Sequence, residues 1–203
     1  MINKYLAFAM LGCRALKVAE LETDPSKLDH SIIDEFMERE EPDYGWFEIP
    51  NSARKSLHGN QIHFLNVTSQ RWLNDSIVQG PGGDSVWTHH VAIVVPKSLK
   101  YTNVSSAWVT GGCNEDPEDI ESNTNLDIIM ADELAHTAEM ISIVVFQVPN
   151  CHLVFPSDPS GAKRTEDPLL AWAFKMFHDN PEDTDTIPLL PMAKSAFQGM
   201  RAA

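Results

Sequence analysis

A serine hydrolase needs a serine on a strained strand-to-helix turn, followed in the chain by an acid and a histidine that activate it. No Gly-x-Ser-x-Gly string occurs here. The nearest, Gly83-Asp84-Ser85-Val86-Trp87, lacks the closing glycine and precedes an apolar run instead of following one, so it reads as loop. Ser195 falls inside a helical pattern and reads as a surface or packing residue. No catalytic residue is assigned. His89 and His90 are neighbours on a strand, so their rings point to opposite faces and cannot chelate one ion together. Glu133 and His136 share a helical face at i, i+3, as in a di-iron bundle, but no second copy of the pair completes a site. The acidic run from Glu115 to Glu121 lacks the spacing, central glycine and terminal glutamate of a calcium loop and reads as solvated. The sequence therefore predicts no metal and no cofactor.

The elements that would position any chemistry are clearer. Apolar runs at residues 62–67 and 91–95, the second stopped by Pro96, have the length and β-branched content of strands. Gly80-Pro81-Gly82-Gly83-Asp84 between them is a loop by its turn chemistry. A third run, 104–109, ends at the pair Gly111-Gly112. After an acidic loop, Leu126, Met130, Leu134, Ala138 and Ile141 recur at helical spacing, and 142–148 is a near-continuous apolar strand stopped by Pro149-Asn150. Strand, helix and strand predict a βαβ crossover with a parallel, buried pairing. Thr165-Glu166-Asp167-Pro168 starts a further helix, apolar almost all round over 169–177 and so expected to be buried. A last helix follows from Pro191 with Met192, Ala196 and Met200 on one stripe. Near the N-terminus, Ile32, Ile33, Phe36 and Met37 among acidic residues suggest a short capping helix.

The 203 residues, 43% apolar, suit one domain. A net charge of −14, from 29 acids against 15 Lys and Arg, with no basic stripe, makes nucleic acid and anionic membranes poor partners. Lys4 followed by the apolar stretch 5–13 resembles the n- and h-regions of a signal peptide, which the reading places at residues 1–19, with the domain over 20–203; a frayed apolar terminus is the alternative. The stretch is too short to span a bilayer, and no transmembrane segment is predicted. The sequons at Asn66, Asn74 and Asn103 agree with secretion, although such triplets also arise by chance. Removing Cys13 with a leader leaves Cys113 and Cys151 as an even pair. Both follow strands that would be parallel neighbours, so they are either a disulfide or two small buried apolar residues.

Several stretches in order resemble one family: Leu65-Asn66-Val67-Thr68-Ser69-Gln70-Arg71-Trp72, Trp87-Thr88-His89-His90 through Pro96, Thr110-Gly111-Gly112-Cys113-Asn114, Val148-Pro149-Asn150 with Leu153-Val154-Phe155, Arg164-Thr165-Glu166-Asp167 with Trp172, and Leu190-Pro191-Met192-Ala193-Lys194-Ser195-Ala196. The set is similar to the PhoPQ-activated pathogenicity-related proteins from about Tyr44 to the C-terminus. The resemblance implies an α/β fold that is the N-terminal part of an α/β-hydrolase-like domain, with a mostly parallel sheet flanked by helices, truncated before the nucleophile elbow. In such a fold a backbone N–H from the loop after the third strand helps hold the oxyanion. Gly111, Gly112, Cys113 and Asn114 occupy that place; alternatively the glycines only allow a tight strand exit at positive φ.

Two functional classes stay open. One is a secreted hydrolase whose nucleophile lies beyond Ala203, inactive as this chain alone, acting on a small ester or peptide-like substrate. The other, which the resemblance also implies, is a non-enzymatic extracellular factor that regulates cell proliferation through a surface for another extracellular protein. The resemblance also places the next strand beside 104–109, whose apolar edge is otherwise unpaired and prone to aggregate.

Overall fold

A computed structural model describes residues 31–114, 120–122 and 124–203. The segment read as a signal peptide, Cys13, and most of the acidic run that starts at Glu115 lie outside the described residues. The element order is α1 (Ser31–Glu38), β1 (Gly45–Glu48), β2 (Arg54–Lys55), β3 (Gln61–Arg71), β4 (Val86–Val95), β5 (Tyr101–Val109), α2 (Leu126–Ala138), β6 (Met140–Val145), α3 (Glu166–Asp179) and α4 (Leu189–Ala202).

The strands form one sheet in the order β1-β3-β4-β6-β5, with β2 also paired to β3. The strand-helix-strand crossover is present: β5 and β6 pair in parallel, with Trp108 opposite Val144 and Val109 opposite Val145. The expectation of a mostly parallel sheet is corrected, because β1–β3, β2–β3, β3–β4 and β4–β6 are all antiparallel. The cause is long-range. No helix carries the chain from β3 to β4, so they lie antiparallel, and β6 inserts between β4 and β5 and runs against the first while following the second. The result is a mixed α/β sheet flanked by helices.

Helices cover both faces of the central strands. On one face Ile128, Ala131 and Ala135 of α2 pack on Phe64, Val94 and Val144. On the other, Ala202 of α4 packs among Leu65, Val91, Ile143 and Val145. The approach there is close enough that Gly199 is required: a Cβ on it would lie 2.8 Å from Cγ1 of Val145. A third cluster, where Trp72 meets Trp87 edge-on at 5.4 Å and Phe155 and Leu169 join them, closes the end of the sheet beneath α3. Helix α2 starts on Asn125, whose Oδ1 accepts from the Asp127 and Ile128 amides, and stops where Glu139 adopts φ 53. Helix α1 is held by Lys194, buried in α4, whose Nζ donates to Phe36 O, Arg39 O and Glu41 Oε1.

Three packing expectations are corrected. The stripe Leu126, Met130, Leu134 of α2 is exposed, and the buried face is Ile128, Ala131, Asp132 and Ala135. Helix α3 buries only Leu169 and Ala173, and Phe174 faces out. The stripe of Met192, Ala196 and Met200 is not what seats α4: its buried residues are Leu190, Pro191, Lys194, Ser195, Gln198, Gly199 and Ala202. Ser195 is accordingly interior, not superficial.

Candidate functional site

The parallel pair β5–β6 ends at one edge of the sheet, and in open α/β sheets that carboxyl end is where ligands bind. The chain leaving β5 there is pinned by the turn leaving β6. Val148 N–H donates to Thr110 O at 3.1 Å and Gln147 N–H to Gly111 O at 3.0 Å. A trans peptide is planar with its N–H opposed to its C=O, so holding those two carbonyls toward the turn aims the Gly111 and Gly112 N–H groups away from it. Among the described residues neither N–H has an acceptor. Gly112 has φ 93, which a side chain would strain, so the positive-φ strand exit and the presentation of two N–H groups coexist in one loop. The loop opens on a cavity of about 460 Å³ shared with Phe146, Asp127 and Glu166. Asp127 is fixed there, accepting from Trp108 Nε1 at 3.0 Å and Thr110 Oγ1 at 3.2 Å. Glu166 has φ 39 and sets Oε1 3.2 Å from where a Gly111 Cβ would stand.

The rest of the loop is tied to Cys151 and to Thr88 of β4. Asn114 donates its N–H to Cys151 O and its Nδ2 to Thr88 O, and its Oδ1 accepts from Cys151 N. Cys113 and Cys151 lie 4.9 Å apart at Cα with their sulfurs joined. All four residues expected on this loop therefore sit together, and Cys151 with them.

A second constellation joins His89 to Ser69, Gln70 and Ser195. His89 is fully buried, its Nδ1 3.1 Å from both Phe146 O and Gln147 O, and its Nε2 2.9 Å from Ser69 Oγ. Two carbonyls can only accept, so Nδ1 carries the proton and Nε2 accepts from the serine hydroxyl. Ser69 is also 3.1 Å from Ser195 Oγ, to which Gln70 Nε2 donates at 2.9 Å. Ser69 is the extra residue of a bulge between Thr68 and Gln70, which turns both it and Gln70 inward. Burial pushes His89 down to about 4, against the opposing effect of its two carbonyl bonds. The pair has the polarity of a nucleophile and its base, yet Ser69, His89 and Ser195 are each sealed from solvent. The sequence held one signal for it: the run Thr68-Ser69-Gln70-Arg71 puts four polar residues in succession at the end of a largely apolar strand.

The other sequence candidates disperse. Ser85 is buried at the entry to β4, donating to Asp75 Oδ1, which it helps hold below the usual carboxylate range. His90 uses its N–H to reach Gln147 Oε1 at 2.9 Å. Glu133 and His136 gain a neighbour, His58, which bonds Glu133 at 2.9 Å and stacks on His136 at 4.3 Å. Among the described residues no group of three His, Cys, Asp or Glu is placed to hold a metal ion, and no helix is long and apolar enough to cross a membrane. Asn74 and Asn103 are exposed, Asn74 Oδ1 accepting from the Ser76 amide, whereas Asn66 is half-buried in mid-strand.

Fold and site thus define a mixed α/β protein with a glycine loop open at the carboxyl end of its parallel strands. The chain belongs to the PhoPQ-activated pathogenicity-related protein family, whose profile matches residues 33–203. It is similar to autocrine proliferation repressor protein A of Dictyostelium discoideum, 25% identical over 173 residues, which are 84% of this chain and 31% of that one. The chain therefore spans under a third of that relative's length. No solved structure matches it.

Proposed function

We propose that this chain is the leading part of a secreted α/β-hydrolase-like domain, with the Gly111–Asn114 loop as the oxyanion side of its site. The observation that carries this is the pinned pair of N–H groups at Gly111 and Gly112, which have no acceptor among the described residues and lie on a cavity. Asp127 and Glu166 line the same cavity, and their carboxylates disfavour a permanently anionic ligand there, so the reading takes a neutral ester or peptide carbonyl as the ligand and rests on the N–H pair alone to hold the charge that develops on it. The nucleophile, in this reading, comes from polypeptide beyond residue 203, where the sheet would continue along β5. Supporting that, among the described strands β5 pairs with β6 alone, and Trp108 on it is half exposed. The leader at 1–19, glycans at Asn66, Asn74 and Asn103, and a Cys113–Cys151 disulfide in the mature protein belong to the same proposal.

A second reading, an extracellular regulator of cell proliferation without catalysis, is favoured by the name of the Dictyostelium relative and by the apolar groove of about 640 Å³ where Trp108 faces Ile129, Met130 and Leu134. One experiment separates them. Native protein is captured from the medium with an antibody to residues 20–45 and treated with a fluorophosphonate probe. The hydrolase reading expects a labelled species larger than 22.7 kDa with the label on a serine outside this sequence. A folded native product that takes no label leaves the binding reading; a label on a serine within residues 1–203 overturns the placement of the nucleophile.

A further inference from the structure

We propose that His89 is a positioning residue for the Gly111 and Gly112 N–H pair, acting through the turn at residues 146–148; its functional meaning rests on the oxyanion reading above. The turn is what aims the pair, because the Gln147 and Val148 amides hold Gly111 O and Thr110 O. Gln147 does so from φ 64, a conformation that a non-glycine residue keeps only where its surroundings fix it. Strand β4 supplies the fixing. The His89 ring donates Nδ1–H between Phe146 O and Gln147 O, and the His90 backbone donates to the Gln147 side chain. Consecutive residues of one strand thus grip one residue of the turn, by its carbonyl and by its side chain.

His89 in turn cannot swing away. Nε2 accepts from Ser69, Ser69 meets Ser195 on α4, and Gln70 donates to both Ser195 Oγ and Pro191 O. The sheet bulge and α4 therefore lock the imidazole from the side opposite the turn. Because the ring has no exposed atom, it neither meets a substrate nor exchanges protons with one. Orientation is the task left to a buried donor aimed at two carbonyls next to the site.

The test uses the folded chain labelled with ¹⁵N. The chemical shifts of the Gly111 and Gly112 amides and the hydrogen exchange of the Gln147 and Val148 amides are compared in wild type, His89→Leu and His89→Asn. The leucine fills the space without a donor, whereas the asparagine amide can stand in for Nδ1–H. Val94→Ala, on the opposite side of the sheet core, controls for general loss of stability. The expected result is that His89→Leu moves both glycine signals and speeds exchange at Gln147 and Val148 by about tenfold or more over the Val94→Ala control, while His89→Asn stays near wild type. Unmoved glycine signals in folded His89→Leu, or equal effects in His89→Asn, would overturn the proposal. Should His89→Leu fail to fold, ring ¹⁵N shifts of wild-type His89 at neutral pH decide: an Nε2–H tautomer refutes it, and Nδ1–H with Nε2 bare supports it. These signals respond to His89 whether or not the loop ever holds an oxyanion. If fluorophosphonate labelling fails while the glycines follow His89, only the hydrolase reading falls; labelling with indifferent glycines sinks only this one.

Discussion

Acid should destabilise this protein through one residue before its carboxylates matter. Burial holds His89 at about 4 in the folded state, and an unfolded imidazole titrates near 6.5. Between those values the unfolded chain binds a proton that the folded chain refuses, so stability rises with pH across that window. The His89 contribution is complete above pH 6.5 and is lost as pH falls toward 4. At about 1.36 kcal/mol per pH unit, lowering the pH from 6.5 to about 4.5 removes about 2.5 kcal/mol, a large part of a total of about 5–15 kcal/mol. The carboxylates of Asp75, Asp158 and Asp179, held down by Ser85, Ser160 and Lys175 respectively, lose their contribution only below the ordinary 3.8 and so fall outside the window. Urea unfolding followed by tryptophan fluorescence, at about pH 7.5 and about pH 4.5, isolates the effect when wild type is compared with His89→Asn. The other titrating groups are common to both proteins. Wild type should lose about 2.5 kcal/mol more than the variant over this range; a difference under about 0.5 kcal/mol would refute the reasoning, since it would mean that the native ring accepts a proton where it stands.

Three further perturbations follow from packing. Gly199→Ala should cost about 1–3 kcal/mol despite alanine's better helix propensity, because the new Cβ meets both Cγ atoms of Val145 at 2.8 and 2.9 Å; pairing it with Val145→Ala should cost less than the sum of the single changes in chemical unfolding. Lys194→Ala strips the buried Glu41 of its partner and should cost about 3–5 kcal/mol, whereas Lys194→Met with Glu41→Gln recovers part of that; equal losses in the two variants would show that the charge is not what matters. Replacing Cys113 and Cys151 together by serine should lower stability by about 2–4 kcal/mol in non-reducing melts, and finding both thiols free by alkylation of the native protein removes the basis for that figure.

What the sequence shows well is local. The crossover from β5 through α2 to β6 follows from strand-like runs on either side of a helical one, and it is present. The antiparallel pairing of β4 with β6 depends on β6 entering between β4 and β5, a pairing between residues about fifty positions apart that no local period encodes. The glycine loop is legible because it ends a strand; that the carbonyls of Thr110 and Gly111 are held by Val148 and Gln147, which aims the Gly111 and Gly112 N–H groups away from them, depends on the turn beyond β6.

Helix α2 shows why periodicity can mislead about burial. It is apolar on two sides, with Leu126, Met130 and Leu134 on one and Ile128, Ala131 and Ala135 on the other, and a 3.6-residue repeat describes both equally. The small residues won the contact with β4 and β6 because alanine lets a helix sit close to a sheet, which left the larger side chains facing outward beside Trp108. The same reasoning applies to α4, where Gly199 and Ser195 face the sheet and Met200 does not. Strand alternation put His89 and His90 on opposite faces, but only α4 and the bulge at Ser69 determine that the His89 face is closed. A histidine in a closed face with its donor already committed to carbonyls beside a glycine loop differs from one that merely fills space, and the difference lies in partners 57 and 58 residues along the chain.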